Sequence, residues 1–260
     1  MKIEEEISLF LKDFEDYLKQ EINDRYLLYP LLPSGKRIRP ILVYAGAYPG
    51  KDNRVLNLAL AVELLHTSSL VHDDLPFVDN SPTRRGKPST HVKFTPGIAV
   101  MIGDALMAES FRCAAKEGTV AVKILSEAAG INGIAGGQIL DLKGAETLED
   151  IINLHFKKTV KLIEASFLLG LISAERTDLI GTGKEVAREI GHMFQVVDDI
   201  IDEKSCGQEP NITKIVGREK ALQIAEIHYN KAVELSEEFE GREILRWLAK
   251  ETIKKAYFSA

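Results

Sequence analysis

Residues 194–202 read Phe-Gln-Val-Val-Asp-Asp-Ile-Ile-Asp. The polar side chains of Gln195, Asp198, Asp199 and Asp202 stand at positions i, i+3, i+4 and i+7, which lie on one face of an α-helix. Valine and isoleucine fill most of the remaining positions, so the rest of the helix is apolar. The pattern predicts a largely buried helix that presents three carboxylates on one side, an arrangement that is costly unless a cation neutralises them.

A second group of carboxylates, Asp73, Asp74 and Asp79, follows an apolar stretch with helical spacing. Asp73 and Asp79 are six residues apart, which an ideal helix places on different sides, but Pro76 bends the chain between them. Bunched carboxylates repel one another, so the cluster favours a divalent cation that relieves the repulsion. A single Asp-Asp pair is more often only a solvated helix end, and the presence of two clusters favours the cation site.

The two clusters together indicate the kind of ligand. All of their donors are oxygen atoms, and no histidine or cysteine shares the stripe that carries Asp198, which favours Mg²⁺ over zinc. Because Mg²⁺ loses its water reluctantly, it usually joins a few carboxylates to substrate phosphates. Two aspartate clusters that face each other therefore predict a diphosphate between them.

Basic residues suited to phosphate oxygens occur at two places in this acidic chain. Three cations lie in Gly-Lys-Arg-Ile-Arg-Pro, residues 35–40, and Arg84 and Arg85 follow the first aspartate cluster. The arginines offer planar, bidentate donors and Lys36 offers a point charge. A metal-bridged diphosphate and a second, metal-free diphosphate would account for all of these groups.

Helical spacing of apolar residues runs through the whole chain and predicts an all-α protein with a single domain over residues 1–260. Alternating strand patterns bounded by hairpin turns are absent, and breaks fall where proline and glycine cluster. After a first stripe that starts at Ile3, helices are predicted over residues 36–48, 53–74, 96–116, 119–142, 148–173, 180–203, 217–238 and 241–257.

Composition excludes several classes of protein. The 33 basic and 39 acidic residues give a net charge of −6, so no global basic field attracts nucleic acid or an anionic membrane. Cys113 and Cys206 are too few for a disulfide framework. The acidic start is unlike a signal peptide, and no apolar run approaches the roughly 18 residues of a membrane span. We therefore expect a reduced, cytoplasmic protein without nucleic-acid partners or stable membrane insertion.

In these motifs the sequence resembles the trans-polyprenyl diphosphate synthases, which join isoprenoid units head to tail. The resemblance covers nearly the whole chain, and its motifs occur in one order. They are Gly35-Lys36-Arg37-Ile38-Arg39-Pro40, Glu63-Leu64-Leu65-His66-Thr67, the aspartate cluster ending in Arg84-Arg85-Gly86-Lys87-Pro88, Gly103-Asp104-Ala105-Leu106, Gly136-Gly137-Gln138 with Asp141, Lys158-Thr159, and the stretch 194–202. Each motif is weak by itself, and the ordered set is specific.

The resemblance implies an all-α barrel of long helices around a deep apolar cavity, usually as a homodimer, with Mg²⁺ as cofactor and two diphosphate substrates. It implies that the allylic diphosphate binds through Mg²⁺ to Asp73, Asp79 and Asp198, with Asp74, Asp199 and Asp202 in support and with Arg84 and Lys158 on the same diphosphate. Isopentenyl diphosphate would bind Lys36, Arg39, His66 and Arg85. Gln195, Thr159 and the carbonyl of Lys158 would face the allylic carbocation.

Two observations qualify this interpretation. The loop after the second aspartate cluster, residues 203–211, is shorter than in most relatives, which leaves Lys204 or Lys214 to replace the lysine that closes over the diphosphate. Other readings are a class I terpene synthase, a phosphohydrolase that rests on His72-Asp73, and a non-catalytic partner subunit. The two aspartate clusters and the basic residues for a second diphosphate favour the prenyl synthase.

The product length is predicted from the residues before Asp73. Bulky residues at positions 68 and 69 commonly stop the growing chain in this family, and here both are serine. Phe77 and Val78, two extra residues inside the first aspartate motif, resemble enzymes that make short products. We therefore expect geranylgeranyl diphosphate (C20), with farnesyl diphosphate (C15) as the alternative, and we expect the chain to pass Ser68.

Overall fold

The computed structural model describes residues 2–204 and 210–258. Their α-helices are α1 (Ile3–Glu21), α2 (Arg25–Leu31), α3 (Ile38–Ala47), α4 (Asn53–Asp73), α5 (Thr90–Lys93), α6 (Pro96–Lys116), α7 (Thr119–Ala129), α8 (Ile134–Lys143), α9 (Leu148–His155), α10 (Lys161–Ser173), α11 (Ile180–Asp202), α12 (Ile212–Val216), α13 (Arg218–Leu235) and α14 (Arg242–Phe258). Short 3₁₀ turns cover Thr177–Leu179 and Ser236–Glu238, and a π-helical turn covers Phe156–Val160. The all-α prediction is confirmed.

Two helix predictions need correction. The helix expected over 119–142 is two helices, because the chain turns at residues 130–133, where a Cβ on Gly133 would lie 2.0 Å from the carbonyl oxygen of Ala128. Helix α2 was not expected, since Pro30 lies inside it. Its first turn is stabilised by the Asp24 carboxylate, which accepts hydrogen bonds from the backbone of residues 26 and 27.

A small hairpin was also missed. Strands β1 (Thr83–Arg84) and β2 (Lys87–Pro88) pair antiparallel, and the two turn residues between them, Arg85 and Gly86, both have positive φ (54° and 75°). Positive φ at both central residues is the geometry of a two-residue hairpin turn. The hairpin matters because it fixes the directions in which Arg84 and Arg85 leave the backbone.

Helix α4 forms the centre of the bundle and packs along α6, while α3 packs on α10. The second contact is very close, since a Cβ on Gly170 would lie 2.1 Å from the carbonyl oxygen of Val43. By length and composition α4 could cross a membrane, which contradicts the expectation that no run is long enough. Within the bundle, however, 78% of its most apolar window is buried, as in the core helix of a globular protein.

The π-helical turn Phe156–Val160 joins α9 to α10, so the helix predicted over 148–173 is continuous but locally widened. Such turns often mark functional sites, and this one carries Lys158 and Thr159. Helix α8 approaches it closely, because a Cβ on Gly137 would lie 2.4 Å from the backbone nitrogen of Lys158. Gly137 of the Gly-Gly-Gln motif therefore allows two helices to touch beside the predicted site.

Candidate active site

A cavity of about 430 Å³ opens between the start of α3, the last turns of α4, the π-helical turn and the last turns of α11. Most predicted residues of the basic groups line it, together with residues from the π-helical turn and α11. The lining includes Lys36, Arg39, Glu63, His66, Arg84, Arg85, Thr159, Phe194, Gln195 and Asp198. These residues come from five separate parts of the sequence, which the fold brings to one end of the bundle.

Asp73 and Asp79 converge at the end of α4, as the bend at Pro76 allows. The chain turns back so far that the backbone nitrogen of Asp79 donates a 2.9 Å hydrogen bond to the carbonyl oxygen of Asp73. Burial raises the pKa of Asp73 to about 6, and the Asp79 carboxylate adds to the rise while Lys158 opposes it. A cation placed between two such carboxylates stabilises their charged forms.

The carboxylate of Asp74, the third of this cluster, contacts Arg84. Its side chain is 3% exposed and its carboxylate accepts hydrogen bonds from Nη2 of Arg84 at 2.5 Å and from Nε at 3.0 Å. In this structure Asp74 therefore positions Arg84. The sequence had predicted Asp74 as a supporting metal ligand. Arg84 is thereby held against a buried acid while it still lines the cavity.

On α11 the same division occurs between Asp198 and Asp199. Asp198 lines the cavity, and burial raises its pKa to about 6, with Lys36 opposing the rise and Asp202 adding to it. Asp199 is buried and its carboxylate accepts hydrogen bonds from the backbone nitrogen of Ile212 at 2.7 Å and from Nε2 of Gln195 at 3.1 Å. It also lies 3.2 Å from the His155 ring.

These partners give Asp199 a structural role, because it anchors the start of α12 and the side chain of Gln195. The sequence predicted it as a supporting metal ligand. Adjacent residues on a helix point about 100° apart, so the two aspartates of a pair point in different directions, and Asp198 lines the cavity while Asp199 contacts the protein. Asp202, whose charge acts on Asp198, is exposed one turn further along α11.

The π-helical turn lies between the two aspartate clusters. Lys158 forms an ion pair with Asp141 of α8 and its charge acts on Asp73 and Asp79. The next residue, Thr159, donates a 2.6 Å hydrogen bond to Oε1 of Gln195 on α11. Lys158 therefore connects the π-helical turn to α8, whereas both amide atoms of Gln138 are buried without a hydrogen-bond partner among the described residues.

The basic wall is formed by Lys36, Arg39, His66 and Arg85. Burial lowers the pKa of Arg39 to about 10, and its Nε has no hydrogen-bond partner within residues 2–204 and 210–258. Burial and the nearby arginines hold the pKa of His66 well below its usual value, so the ring is neutral at pH 7. An incoming anion would satisfy the buried guanidinium.

Arg85 is held from below by three backbone carbonyls, because its Nη1 donates to those of Pro30, Leu31 and Pro33 at 3.3–3.4 Å. It also lies 3.7 Å from Glu63. The end of α2 therefore orients this side chain toward the cavity.

Arg37, the middle cation of the basic motif, pairs with carboxylates of the protein. The sequence assigned it to no substrate, and its side chain is 2% exposed and pairs with Glu63 at 2.5 Å and Glu15 at 2.7 Å. Arg37 has a φ of 49° and lines the cavity as Lys36 and Arg39 do, but its guanidinium is held by these two glutamates. A buried glutamate in the apolar helix α4 was the available signal for such a partner.

The donor set fits Mg²⁺ that is shared with a substrate. Asp73, Asp79 and Asp198 have raised pKa values because of burial and neighbouring carboxylates, which a cation would relieve. Among the described residues no group of three or more histidine, cysteine, aspartate or glutamate side chains could hold a metal ion by itself. Phosphate oxygens would have to complete the coordination, as is usual for Mg²⁺.

The predicted closing segment is only partly described. Residues 205–209 of the short loop, with Cys206, lie outside the described residues. Lys204 is exposed at the end of α11, and Lys214 lies in α12. Which of the two would close over a diphosphate stays a prediction.

Solved structures identify the class. The chain superposes on geranyltransferase from Legionella pneumophila with a TM-score of 0.87 and 29% identity, covering 98% of each chain. It superposes on geranyltranstransferase from Thermotoga maritima with a TM-score of 0.87 and 28% identity, covering 96% and 98%. A barrel of this fold, with aspartates and a basic wall at one end, defines the isoprenyl diphosphate synthase class.

The polyprenyl synthetase family model matches residues 20–258, and the chain belongs to that family. It is 39% identical over 228 residues to geranylgeranyl pyrophosphate synthase 4 of Arabidopsis thaliana, covering 81% of this chain and 60% of that protein. It is 37% identical over 232 residues to farnesyl diphosphate synthase of Bacillus subtilis, covering 83% and 76%. The chain therefore spans less than two thirds of the Arabidopsis protein's length.

Proposed function

We propose that this protein is a Mg²⁺-dependent prenyltransferase that condenses isopentenyl diphosphate with an allylic diphosphate. The observation that carries the proposal is the division of the cavity rim. Asp73 and Asp79 supply carboxylates beside Lys158, Asp198 supplies one beside Lys36, and Lys36, Arg39 and Arg85 line the basic wall. The carboxylates suit a metal-bound diphosphate, and the basic wall suits a metal-free diphosphate. The names of the family relatives support the same reaction class.

The chain's own residues have separate tasks in this reaction. Mg²⁺, when bound, would neutralise the allylic diphosphate and help it to leave. Arg84 and Lys158, held by Asp74 and Asp141, would add fixed positive charge to the departing group. The isopentenyl double bond would then attack the allylic cation, and the released diphosphate would take the proton that is lost.

Thr159 and Gln195 would face the cation with oxygen dipoles, together with the carbonyl of Lys158. Their mutual hydrogen bond fixes both side chains before substrate arrives, so little reorganisation is needed during the reaction. The metal-free side would orient isopentenyl diphosphate through Lys36, Arg39, His66 and Arg85. Because His66 is neutral, it would act as a hydrogen-bond donor without adding charge.

We propose geranylgeranyl diphosphate as the product, with farnesyl diphosphate as the alternative. Ser69 lies four residues before Asp73 and therefore on the same face of α4, and its side chain is small. Leu65 and Val62, one and two turns deeper, are buried and suit a floor. Relatives named for each product match the chain with similar identity, so they support the class rather than the length.

We also propose a homodimer through the outer face of α6. Met101 is 61% exposed and Ile98 is 40% exposed on that face, and an apolar groove of about 670 Å³ runs between it and Tyr26 and Leu27. Exposed apolar patches of this kind usually mark an interface. Light scattering of Met101→Glu beside the parent chain tests this, and an unchanged mass would contradict it. The low cysteine content supports a cytoplasmic location, which is also a proposal.

The decisive experiment mixes the purified chain with isopentenyl diphosphate, each of three allylic diphosphates (C5, C10 and C15) and Mg²⁺, and then sizes the products. We expect linear C20 diphosphate and no product when EDTA is present. A cyclic hydrocarbon formed from the allylic substrate by itself would indicate a terpene synthase. Free inorganic phosphate would indicate a phosphohydrolase, and the absence of any turnover would indicate a non-catalytic subunit. Each of these outcomes would refute the proposal.

A further inference from the structure

A second cavity, separate from the candidate active site, lies between α7, α10 and α11. Its volume is about 550 Å³, within the range of roughly 300–1,000 Å³ that is usual for small-molecule sites, and it shares none of its described lining residues with the active-site cavity. One side of α10 borders it from Lys161 to Ile172, roughly 16 Å at 1.5 Å per residue. The cavity is therefore a groove long enough for an extended ligand.

Apolar side chains from all three helices line much of this groove. They include Val120, Ile124, Ala165, Leu168, Ile172 and Ile180. Val120, on the α7 wall, is 57% exposed, so part of this apolar surface is in contact with water. Covering such surface with an apolar chain is favourable, because it removes apolar area from water.

Charged side chains line the rest of the groove. Where α10 begins, the buried carboxylate of Glu164 lies 2.6 Å from Nε of Arg188 and 3.6 Å from Nζ of Lys161. Lys184, one turn before Arg188 on α11, and Lys123 of α7 form no ion pair within residues 2–204 and 210–258. Four cations and two carboxylates line the groove, an excess of two positive charges in a chain whose net charge is −6. The groove is therefore complementary to an anion with an apolar chain.

The charged end of the groove adjoins the π-helical turn from outside the active site. Lys161 and Arg188 both lie over the ring of Phe156, at 5.2 Å and 5.5 Å from its centre. Phe156 is the first residue of the turn that carries Lys158 and Thr159. A ligand bound to Lys161 or Arg188 would therefore lie behind the turn whose other side faces the active site.

We propose that the groove between α7, α10 and α11 is a second binding site for a prenyl diphosphate, with the chain along α10 and the diphosphate on Lys123, Lys184 and Arg188. The head group follows from the excess of two positive charges, which the single charge of a carboxylate does not balance. The choice of chain rests on the function proposed above, because that function supplies prenyl diphosphates at the protein. A fatty acid and an anionic membrane are the competing occupants.

The binding test uses farnesyl diphosphate in EDTA with saturating inorganic pyrophosphate. EDTA removes metal-dependent binding, and pyrophosphate occupies the basic wall of the active site. Calorimetry should then show one remaining site in the parent chain. Lys184→Glu should weaken binding at that site about tenfold or more, the scale of one charge-assisted hydrogen bond. The control Lys12→Glu, at an exposed lysine of α1 outside the groove, should change the affinity less than about twofold.

The apolar part of the groove is tested in the same assay. Val120→Glu should weaken the binding of farnesyl diphosphate about tenfold, because a carboxylate replaces apolar surface and repels the head group. The control is Ile227→Glu, at an apolar residue of α13 that is 64% exposed and lies outside the groove. Hydrogen exchange of residues 119–129 and 161–172 should slow when the ligand binds the parent chain and should not slow in Lys184→Glu.

Four results would overturn this proposal. They are the absence of the remaining site in the parent chain, equal affinities of the groove variants and their controls, palmitate that binds more tightly than farnesyl diphosphate, and vesicles of phosphatidylglycerol that compete with farnesyl diphosphate for the groove. The last two results would assign the groove to a fatty acid or to a membrane surface.

Thermal unfolding of each variant accompanies these measurements. If Val120→Glu fails to fold, Val120→Ser replaces it. If the parent chain binds farnesyl diphosphate in the groove but has no transferase activity, the function proposed above fails while the groove site stands. If the chain is an active transferase and the groove variants bind as their controls do, only the groove site fails.

Discussion

The hydroxyl of Thr159 donates a 2.6 Å hydrogen bond to Oε1 of Gln195, and Nε2 of Gln195 donates in turn to Asp199. This chain of hydrogen bonds joins the π-helical turn to α11 and fixes the orientation of the Gln195 amide. The Asp199 carboxylate also accepts from the backbone of Ile212, so the orientation is supported from outside the cavity. The two polar groups that would face a carbocation are therefore held in place by the fold itself.

Breaking this link should slow the reaction with little effect on substrate binding. We expect Gln195→Leu to lower kcat about a hundredfold, the scale found when one preorganised dipole is removed, with KM values within about threefold. Thr159→Val, which keeps the shape of the side chain, should have a smaller effect in the same direction. Steady-state kinetics with both substrates is the measurement, and a change confined to KM would contradict the assignment.

Asp198 and Asp199 should respond in opposite ways to mutation. Asp198→Asn should lower kcat/KM about a thousandfold and leave the free energy of unfolding unchanged or higher, because a buried carboxylate near Asp202 is neutralised. Asp199→Ala should lower the free energy of unfolding by about 3 kcal/mol, since it leaves buried donors unpaired. Asp73→Asn should behave as Asp198→Asn does.

The exposed Asp13 provides the control for this comparison, because it lies on α1 and its ion pair among the described residues is a 4.0 Å contact with Lys51. Asp13→Asn should change neither activity nor stability measurably. Activity and urea unfolding are measured on all four variants. Full activity of Asp73→Asn and Asp198→Asn would refute the metal assignment, and an Asp199→Ala variant of normal stability would refute its structural role.

The two diphosphates should be separable by mutation of the basic wall. Arg39→Ala and Lys36→Ala are expected to raise the KM for isopentenyl diphosphate about tenfold or more, with a smaller effect on the allylic substrate. Arg84→Ala should show the reverse preference, because Arg84 is held beside the first aspartate cluster. Kinetics with each substrate varied in turn is the measurement. If Arg39→Ala weakened only the allylic substrate, the two sites would have been exchanged.

Product length should depend on Ser69 rather than on Ser68. The sequence predicted that the chain passes Ser68, but its buried hydroxyl donates a 2.8 Å hydrogen bond to the carbonyl oxygen of Gly103 on α6, so this side chain faces α6. The two helices are so close here that a Cβ on Gly103 would lie 2.2 Å from Nε2 of His72. Ser68→Phe should therefore destabilise the fold by about 3 kcal/mol through overpacking.

Ser69→Phe, on the face that carries Asp73, should instead fill the cavity and shift the product toward C15 with normal stability. Chromatography of the dephosphorylated products and thermal unfolding of both variants test the pair. A product shift in Ser68→Phe with unchanged stability would show that the chain does run along the α6 side.

His192 should make stability depend on pH below neutrality. Burial lowers its pKa to about 4, and the charges of His228, His155 and Arg188 add to this effect while Glu189 opposes it. The unfolded chain takes up a proton below about pH 6.5, whereas the folded protein does so only near pH 4, so stability falls as pH falls through this interval. The contribution of this group is about 3 kcal/mol at most.

The variant His192→Phe should flatten that slope, because phenylalanine does not titrate and can still stack between Phe156 and His228. Urea unfolding of both proteins between pH 4 and 7 gives the comparison. Parallel pH profiles for the two proteins would mean that other groups cause the loss of stability.

The sequence by itself determined the helices and the chemistry of the rim. A periodicity of 3.6 residues follows from which side chains are apolar, so α4, α6, α11 and α13 could be predicted within a few residues. Two carboxylate clusters and their basic companions are local features, and they indicated a diphosphate and Mg²⁺ before any fold was known. The hairpin at Arg85 was not predictable, because its turn lacks the usual asparagine or aspartate.

Only the tertiary structure decided which aspartate of each Asp-Asp pair is bound by other groups of the protein and which is left for a ligand. Asp73 and Asp74 are the same residue type, as are Asp198 and Asp199, and local pattern cannot rank them because each partner comes from a distant segment. The guanidinium of Arg84 donates a hydrogen bond to Asp74, and the backbone nitrogen of Ile212 donates one to Asp199. The reason is that packing between helices, and not sequence spacing, sets which side chains from distant segments meet.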